Sequence, residues 1–254
     1  MRTPGELGRL AARRAAADVA VPVARRRARR RLSALAPGVT VVTVSWNSLA
    51  YLEVLADVVV RRSPAGTRLL VVDNASGDGT RRWLRGRPDL DRLLLPVNLG
   101  HEVALDLGFL AARTEVVVAL DVDAFPLQDD WLAELRGRLD AGAAVAGARL
   151  NRDYVHPCCL AMRLPDFVAQ DLSFRSTAST APGELLSARV TGPRSYLEVT
   201  GRRGPGDVGT VFGDLIYHNF YSTRFALEGS DVLDGRVRAD DPRVAWAEAV
   251  ARWT

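Results

Sequence analysis

The 254 residues are 48% hydrophobic and 25% charged, the balance of a soluble globular chain forming one large domain or one domain with appendages. No apolar run reaches the roughly eighteen residues of a membrane span, and two adjacent cysteines, Cys158 and Cys159, provide neither a disulfide framework nor zinc-site spacing. All 34 basic residues are arginine, a compositional bias that identifies no partner.

Charge is unevenly placed. Residues 1–36 hold ten arginines against Glu6 and Asp18, a local +8 that leaves −4 for the rest. Residues 5–35 read as a helical arm broken near Pro22, where the N–H is missing and the ring crowds the preceding turn. Six arginines fall between Arg25 and Arg31. The arm is therefore a solvated or disordered tail, or else an anchor on an anionic membrane surface through Leu7, Leu10, Leu32 and Leu35; nucleic acid is the least favoured partner. No secretory signal is recognised, and the cysteines read as buried thiols, so a cytoplasmic chain, peripheral on the inner membrane face, is expected.

From Val39 to Ser45 the pattern becomes a buried strand, followed by a helix with Leu52, Leu55, Ala56 and Val59 on one face. A second strand, Arg68 to Asp73, runs into a loop of turn formers and helix caps ending at Thr80. A third, Arg92 to Pro96, precedes a helix with Val103, Leu107 and Leu110 inward. The strand Val116 to Asp121 follows, then a helix with Leu132, Leu135 and Leu139 inward, and a small-residue strand from Ala143 to Leu150. This alternation predicts an α/β fold, a mostly parallel sheet with helices on both faces. The expected division is a basic arm over 1–36, a first half over 37–150 and a covering half over 151–254. In that second half, strands are expected from Tyr154 to Leu164 and from Val211 to His218. A terminal helix begins near Pro242, docked by Trp246, Val250 and Trp253.

The strand ending in Asp121-Val122-Asp123 carries the strongest chemical signal. Ligands gather at the carboxyl ends of strands in such sheets, and alternate residues of an extended segment point the same way. Two carboxylates so placed can share a divalent cation, or divide between a cation and a ribose hydroxyl; in isolation they are also compatible with a surface turn. Ser45, Asn47, Asp73 and Asn74 sit at two neighbouring strand ends, suited to a base and ribose. Asp73 is the best single candidate there, with helix capping as its alternative role.

Taken in order, Val44-Ser45-Trp46-Asn47, the run Val72 to Thr80, Asn98-Leu99-Gly100 and Asp121-Val122-Asp123 resemble family-2 glycosyltransferases of the GT-A fold. The resemblance is close over residues 39–150 and loose over 150–230. It implies transfer of a sugar from a nucleotide-diphosphate donor to an acceptor hydroxyl, with inversion and with Mg²⁺ or Mn²⁺. By resemblance Asp123 binds the metal, Asp121 the ribose or metal, and His218 is a third ligand to metal or phosphate; Arg224 is a candidate phosphate clamp. His101 falls at a helix start by the donor pocket, and His156 lines the acceptor side or packs. One departure stands out: in Ala188 to Pro193, Val190 occupies the place where an acidic residue is expected. Inverting transfer needs a general base, and Asp171 is the substitute chosen from the nearby acids, which include Glu184. Two rival readings remain, a catalytically silent nucleotide-sugar-binding protein and a nucleotidyltransferase, although the latter calls for a glycine-rich basic loop after the first strand. The lack of a glycine fingerprint there argues against a dinucleotide dehydrogenase.

Overall fold

The computed structural model describes residues 4–202, 208–220 and 242–254. Helix α1 (Pro4–Arg29) leads into β1 (Ala36–Ser45), α2 (Leu49–Arg62), β2 (Arg68–Asp73), α3 (Thr80–Arg85), β3 (Asp91–Leu94), α4 (His101–Ala111) and β4 (Thr114–Leu120). Then come β5 (Ala124–Pro126), α5 (Trp131–Asp140), β6 (Val145–Ala148), β7 (Cys159–Arg163), α6 (Leu164–Ala169), α7 (Glu184–Arg189) and β8 (Arg194–Leu197). β9 (Val199–Arg202), β10 (Thr210–Phe212), β11 (Ile216–His218) and α8 (Pro242–Trp253) follow, and a single 3-10 turn at Leu32–Ala34 links α1 to β1.

The central sheet has the order β3-β2-β1-β4-β7-β6-β8. Its first four strands are mutually parallel, β7 runs antiparallel to both β4 and β6, and β8 is parallel to β6. Strands covered on both faces must be apolar at successive positions. Val41 accordingly packs with Leu52, Leu55 and Trp131 of α2 and α5, whereas Val42 and Val44 face Leu105 and Phe109 of α4. The crossing of α4 over β1 and β2 is close enough that a Cβ on Gly108 would collide with the side chains of Val42 and Val72. The expected α/β layering with helices on both faces is what the structure shows. The change of pattern at residue 150 is not a seam in the core, however: β7, from beyond it, lies between β4 and β6.

Three expectations are corrected. The arm is not broken at Pro22, because α1 runs continuously from Pro4 to Arg29 with that proline inside it. The hydrogen bond forfeited there is offset by docking: Ala17, Val21 and Ala28 are buried in the core shared with α4 and α6. Arg25 is buried too, donating to the carbonyls of Phe167 (3.0 Å) and Leu172 and lying 5.2 Å from the Phe167 ring centroid. The arm is therefore not a solvated tail over its described length. Next, only Cys159–Arg163 of the expected Tyr154–Leu164 strand is extended, since His156 and Pro157 sit in the turn before it. Finally, Val211 to His218 is a hairpin and not one strand. Gly213 and Asp214, at φ 58 and 53, turn β10 back onto β11.

A second, antiparallel sheet has the order β5-β11-β10-β9. The terminal helix docks on it as expected, with Trp246 5.3 Å from Phe125 and Trp253 5.3 Å from Tyr217 between ring centroids.

Asp106 of α4 joins the chain's two halves. Fully buried, it accepts hydrogen bonds from the Ser173 hydroxyl (2.6 Å) and the Phe174 N–H (2.8 Å). Burial outweighs these bonds and raises its pKa from 3.8 to about 6. Between those values the folded chain holds a proton that the unfolded chain has released, so stability falls as pH rises from about 4 to about 6 and is level above that. The fall attributable to this group is of the order of 3 kcal/mol. In urea unfolding across that window, Asp106→Asn should show a correspondingly flatter pH dependence than the native chain; parallel curves would dispose of the assignment.

Candidate active site

Residues from three strand ends meet where β4 stops. The N–H of Asp121 donates to the carbonyl of Cys158 (3.1 Å), and that of Ala124 to Asp121 (3.0 Å), closing a tight turn that presents Asp121 and Asp123. β5 then pairs with β11 in a register that sets Ala124 opposite His218, locked by the Asn219 N–H on the Asp123 carbonyl at 2.9 Å. This crossing of 95 residues places His218 Nε2 3.0 Å from Asp123 Oδ1 and 3.5 Å from Asp121 Oδ2. On the other side, His101 Nε2 at the start of α4 lies 3.4 Å from Asp121 Oδ1.

One ligand atom from each of Asp121, Asp123 and His218 lies within 4.8 Å of the others. Asp121 Oδ1 and His218 Nδ1 are buried with no hydrogen-bond partner among the described residues. Buried polar atoms are normally satisfied, so an orphaned carboxylate oxygen beside the cluster marks a place that a ligand completes; His218 meets the two carboxylates through Nε2, so its Nδ1 points elsewhere. Two carboxylates and an imidazole suit a divalent ion such as Mn²⁺, which accepts mixed oxygen and nitrogen donors. Burial works to raise the Asp121 pKa, but His101 close by its Oδ1, with the charges of His218 and His156, holds it well below the usual carboxylate range. Burial likewise works to lower that of His101, and Asp121 overrides it, leaving His101 above the ordinary imidazole value. His156 is pushed down to about 4 by burial. Its Nδ1 accepts the Cys158 N–H at 3.1 Å, so the neutral ring carries its hydrogen on Nε2 as a donor. Burial raises Cys158 well above the ordinary thiol value and Cys159 to about 12; both thiols are inert.

The polar residues of the neighbouring loops brace one another. Asn47, at φ 51, accepts the Gly77 N–H on Oδ1 (2.7 Å) and donates its own N–H to Ser76 Oγ (3.0 Å). Asp78 accepts from the Leu49 N–H (2.9 Å) and from Thr80, tying this loop to the start of α2. Asp73, fully buried, accepts the Ser76 N–H (3.2 Å) and pairs with Arg81 Nε at 2.6 Å. Asn74 bridges to the next loop, accepting the Leu99 N–H (2.9 Å) and donating to Asn98 Oδ1 (3.2 Å).

A cleft of about 550 Å³ lies over this construction, lined by Asn74, Asn98, His101, Asp121, Asp123, His156 and His218, with Trp46, Phe220 and Arg13 at its walls. Of the residues chosen from sequence, Asp121, Asp123, His218 and Asn74 are brought together there. Ser45 and Asp73 are fully buried and Asn47 braces the loop, so these three are not among the residues lining the cleft. Asp171 is absent from it as well: its side chain is 70% exposed and paired with Arg25 at 2.9 Å. Glu184 is likewise engaged, with Arg152 and the Ala181 N–H. Arg224 lies outside the described residues. Arg13 is the contributor that sequence reasoning missed, because nothing in the arginine-rich arm distinguishes the residue that reaches the cleft.

A mostly parallel sheet that delivers an acidic pair and a histidine to one cleft at its carboxyl edge has the layout of the GT-A fold. Residues 40–157 match the family model described as glycosyl transferase family 2. Among solved structures, the chain is similar to the mannosyltransferase PcManGT from Pyrobaculum calidifontis in complex with GDP-Man and Mn²⁺, at 24% identity and a TM-score of 0.52, covering 77% of this chain and 69% of that one. It is also similar to S. aureus TarS, at 17% identity and a TM-score of 0.52, covering 63% of this chain and 35% of that one. A form of TarS in complex with UDP aligns at 16% identity and a TM-score of 0.51, over 63% and 60% of the two chains. No curated protein matches the chain.

Substituting Asp123→Asn or His218→Gln should weaken Mn²⁺ binding in calorimetry by at least about tenfold, while Asp171→Asn leaves it unchanged. Equal affinity in all three variants would remove the ion from this cluster.

Proposed function

We propose that this chain transfers a sugar from a nucleotide-diphosphate donor to an acceptor hydroxyl with inversion, using Mg²⁺ or Mn²⁺ held by Asp121, Asp123 and His218. The observation that carries this reading is the three-donor cluster of Asp121, Asp123 and His218 lining a cleft at the sheet's carboxyl edge. The solved structures of similar fold that hold GDP-Man with Mn²⁺, or UDP, support a nucleotide-diphosphate ligand. An ion so held neutralises charge developing on the departing diphosphate.

The chain's own residues supply the remaining parts. His156 Nε2–H is positioned as a donor to an anionic oxygen, and its low pKa keeps it neutral. His101 stands beside Asp121 with the raised pKa of a cation partner. Asn74 and Asn98 hold the rim where a ribose lies, and Trp46 offers a flat apolar face to a base. Ser45, Asn47 and Asp73 serve the nucleotide by fixing the wall behind it, and Asp171 has no catalytic part in this reading.

Incubating the chain with Mn²⁺ and a panel of UDP-, GDP- and dTDP-sugars should release nucleoside diphosphate from one of them. Asp123→Ala should lower that release by about 10²–10³-fold. Tight diphosphate binding with no turnover of any donor would instead establish the silent binding protein.

No helix among the described residues is long and apolar enough to cross a membrane. Val19 and Val23 stand exposed on the outer face of α1 among arginines, and contact with an anionic membrane surface on the cytoplasmic side through that face belongs to the same reading. Pelleting with phosphatidylglycerol vesicles should be lost in a Val19→Ser, Val23→Ser double variant; no pelleting of the native chain would end that part of it.

A further inference from the structure

Beside the cleft runs a groove of about 1180 Å³ between α1, the start of α4, residues 171–177 and α7. Seven arginines and three carboxylates line it. The carboxylates are already engaged: Asp18 with Arg175 at 3.0 Å, Asp171 with Arg25 at 2.9 Å, and Glu102 as acceptor from the Ser176 N–H at 2.9 Å and from its hydroxyl. Among the described residues, the guanidinium groups of Arg13, Arg14, Arg26 and Arg189 have no such partner. We infer that this groove binds the phosphate of a phosphorylated acceptor and presents the acceptor to the cleft.

Unpaired cations held around one concavity on two separate helices repel one another, and a multivalent anion relieves that repulsion while accepting forked guanidinium hydrogen bonds. The wall is built, not a loose tail, because Arg25 and the buried Ala17, Val21 and Ala28 pin α1 to the core. Arg13 and Gly100 line both groove and cleft, so an anion seated in the groove carries the group attached to it towards the Asp121 edge. No aromatic side chain is among the groove's lining residues, which leaves bases nothing to stack on and disfavours single-stranded nucleic acid. The acceptor role rests on the glycosyltransferase reading; phosphate binding does not.

The test uses the full chain in EDTA, so that the ion cluster contributes nothing, with glycerol 3-phosphate and monomeric dihexanoyl phosphatidate as calorimetric probes. Both should bind, and the Arg14→Gln, Arg189→Gln double variant should bind each at least about tenfold more weakly, with Mn²⁺-dependent binding of UDP or GDP unchanged. Preference for phosphatidate would support a lipid headgroup as the source, and equal affinity a free phosphate ester. Binding of neither probe by the native chain, equal binding by the variant, or tighter binding of a short thymidine oligonucleotide than of either probe would overturn the inference. If instead no nucleoside diphosphate bound with Mn²⁺ while both probes did, the acceptor role would fall with the glycosyltransferase reading, and the phosphate site would stand alone.

Discussion

The pairing of β5 with β11 is the constraint on which the site depends. Three residues of β5 hold a register that sets Ala124 against His218 and Phe125 against Tyr217. Because side chains alternate along a strand, a slip of one residue would turn His218 away from Asp123 and bring Tyr217 or Asn219 into its place. The register is enforced from behind by the aromatic cluster of Phe125, Tyr217 and Trp246, so the packing of the last helix bears on the geometry of the acidic pair. Site and core are one construction at this point.

The loops at the neighbouring strand ends follow a related logic. Asn47, Asp73, Asn74 and Asp78 have the residue types expected to grip a nucleotide, yet most of their hydrogen-bonding capacity is spent on each other's backbones. A rim of irregular chain that must keep its shape around a ligand needs its own N–H groups satisfied. Polar side chains from adjacent loops supply those acceptors. Their contribution is preorganisation, which lowers the ordering penalty of binding.

Much of this was legible in the sequence between residues 39 and 150, because strands covered on both faces produce unbroken apolar runs and the intervening helices keep a clear inward face. Leu52, Leu55, Ala56 and Val59, and then Leu132, Leu135 and Leu139, are buried as their spacing implies. The acidic pair and His218 were legible as strand-end residues, although the contact joining them depends on the β5–β11 register, which no local pattern encodes. The antiparallel insertion of β7 was hidden for the same reason. Docking of α1 was hidden differently: its inner face consists of Ala17, Val21, Ala28 and a buried arginine, too small and too polar to register as an apolar stripe. Asp171 looked available as a base because the residue that occupies it, Arg25, lies on that same helix.

Anchoring of α1 has a consequence for how the chain comes into being on the ribosome. Arg25 meets the carbonyls of Phe167 and Leu172 across 142 and 147 residues, so this helix emerges well before the residues it docks against. At about 5–20 residues per second, it waits roughly 7 to 30 s before the groove that receives it exists. During that interval its guanidinium groups are open to any polyanion at the tunnel exit, ribosomal RNA among them.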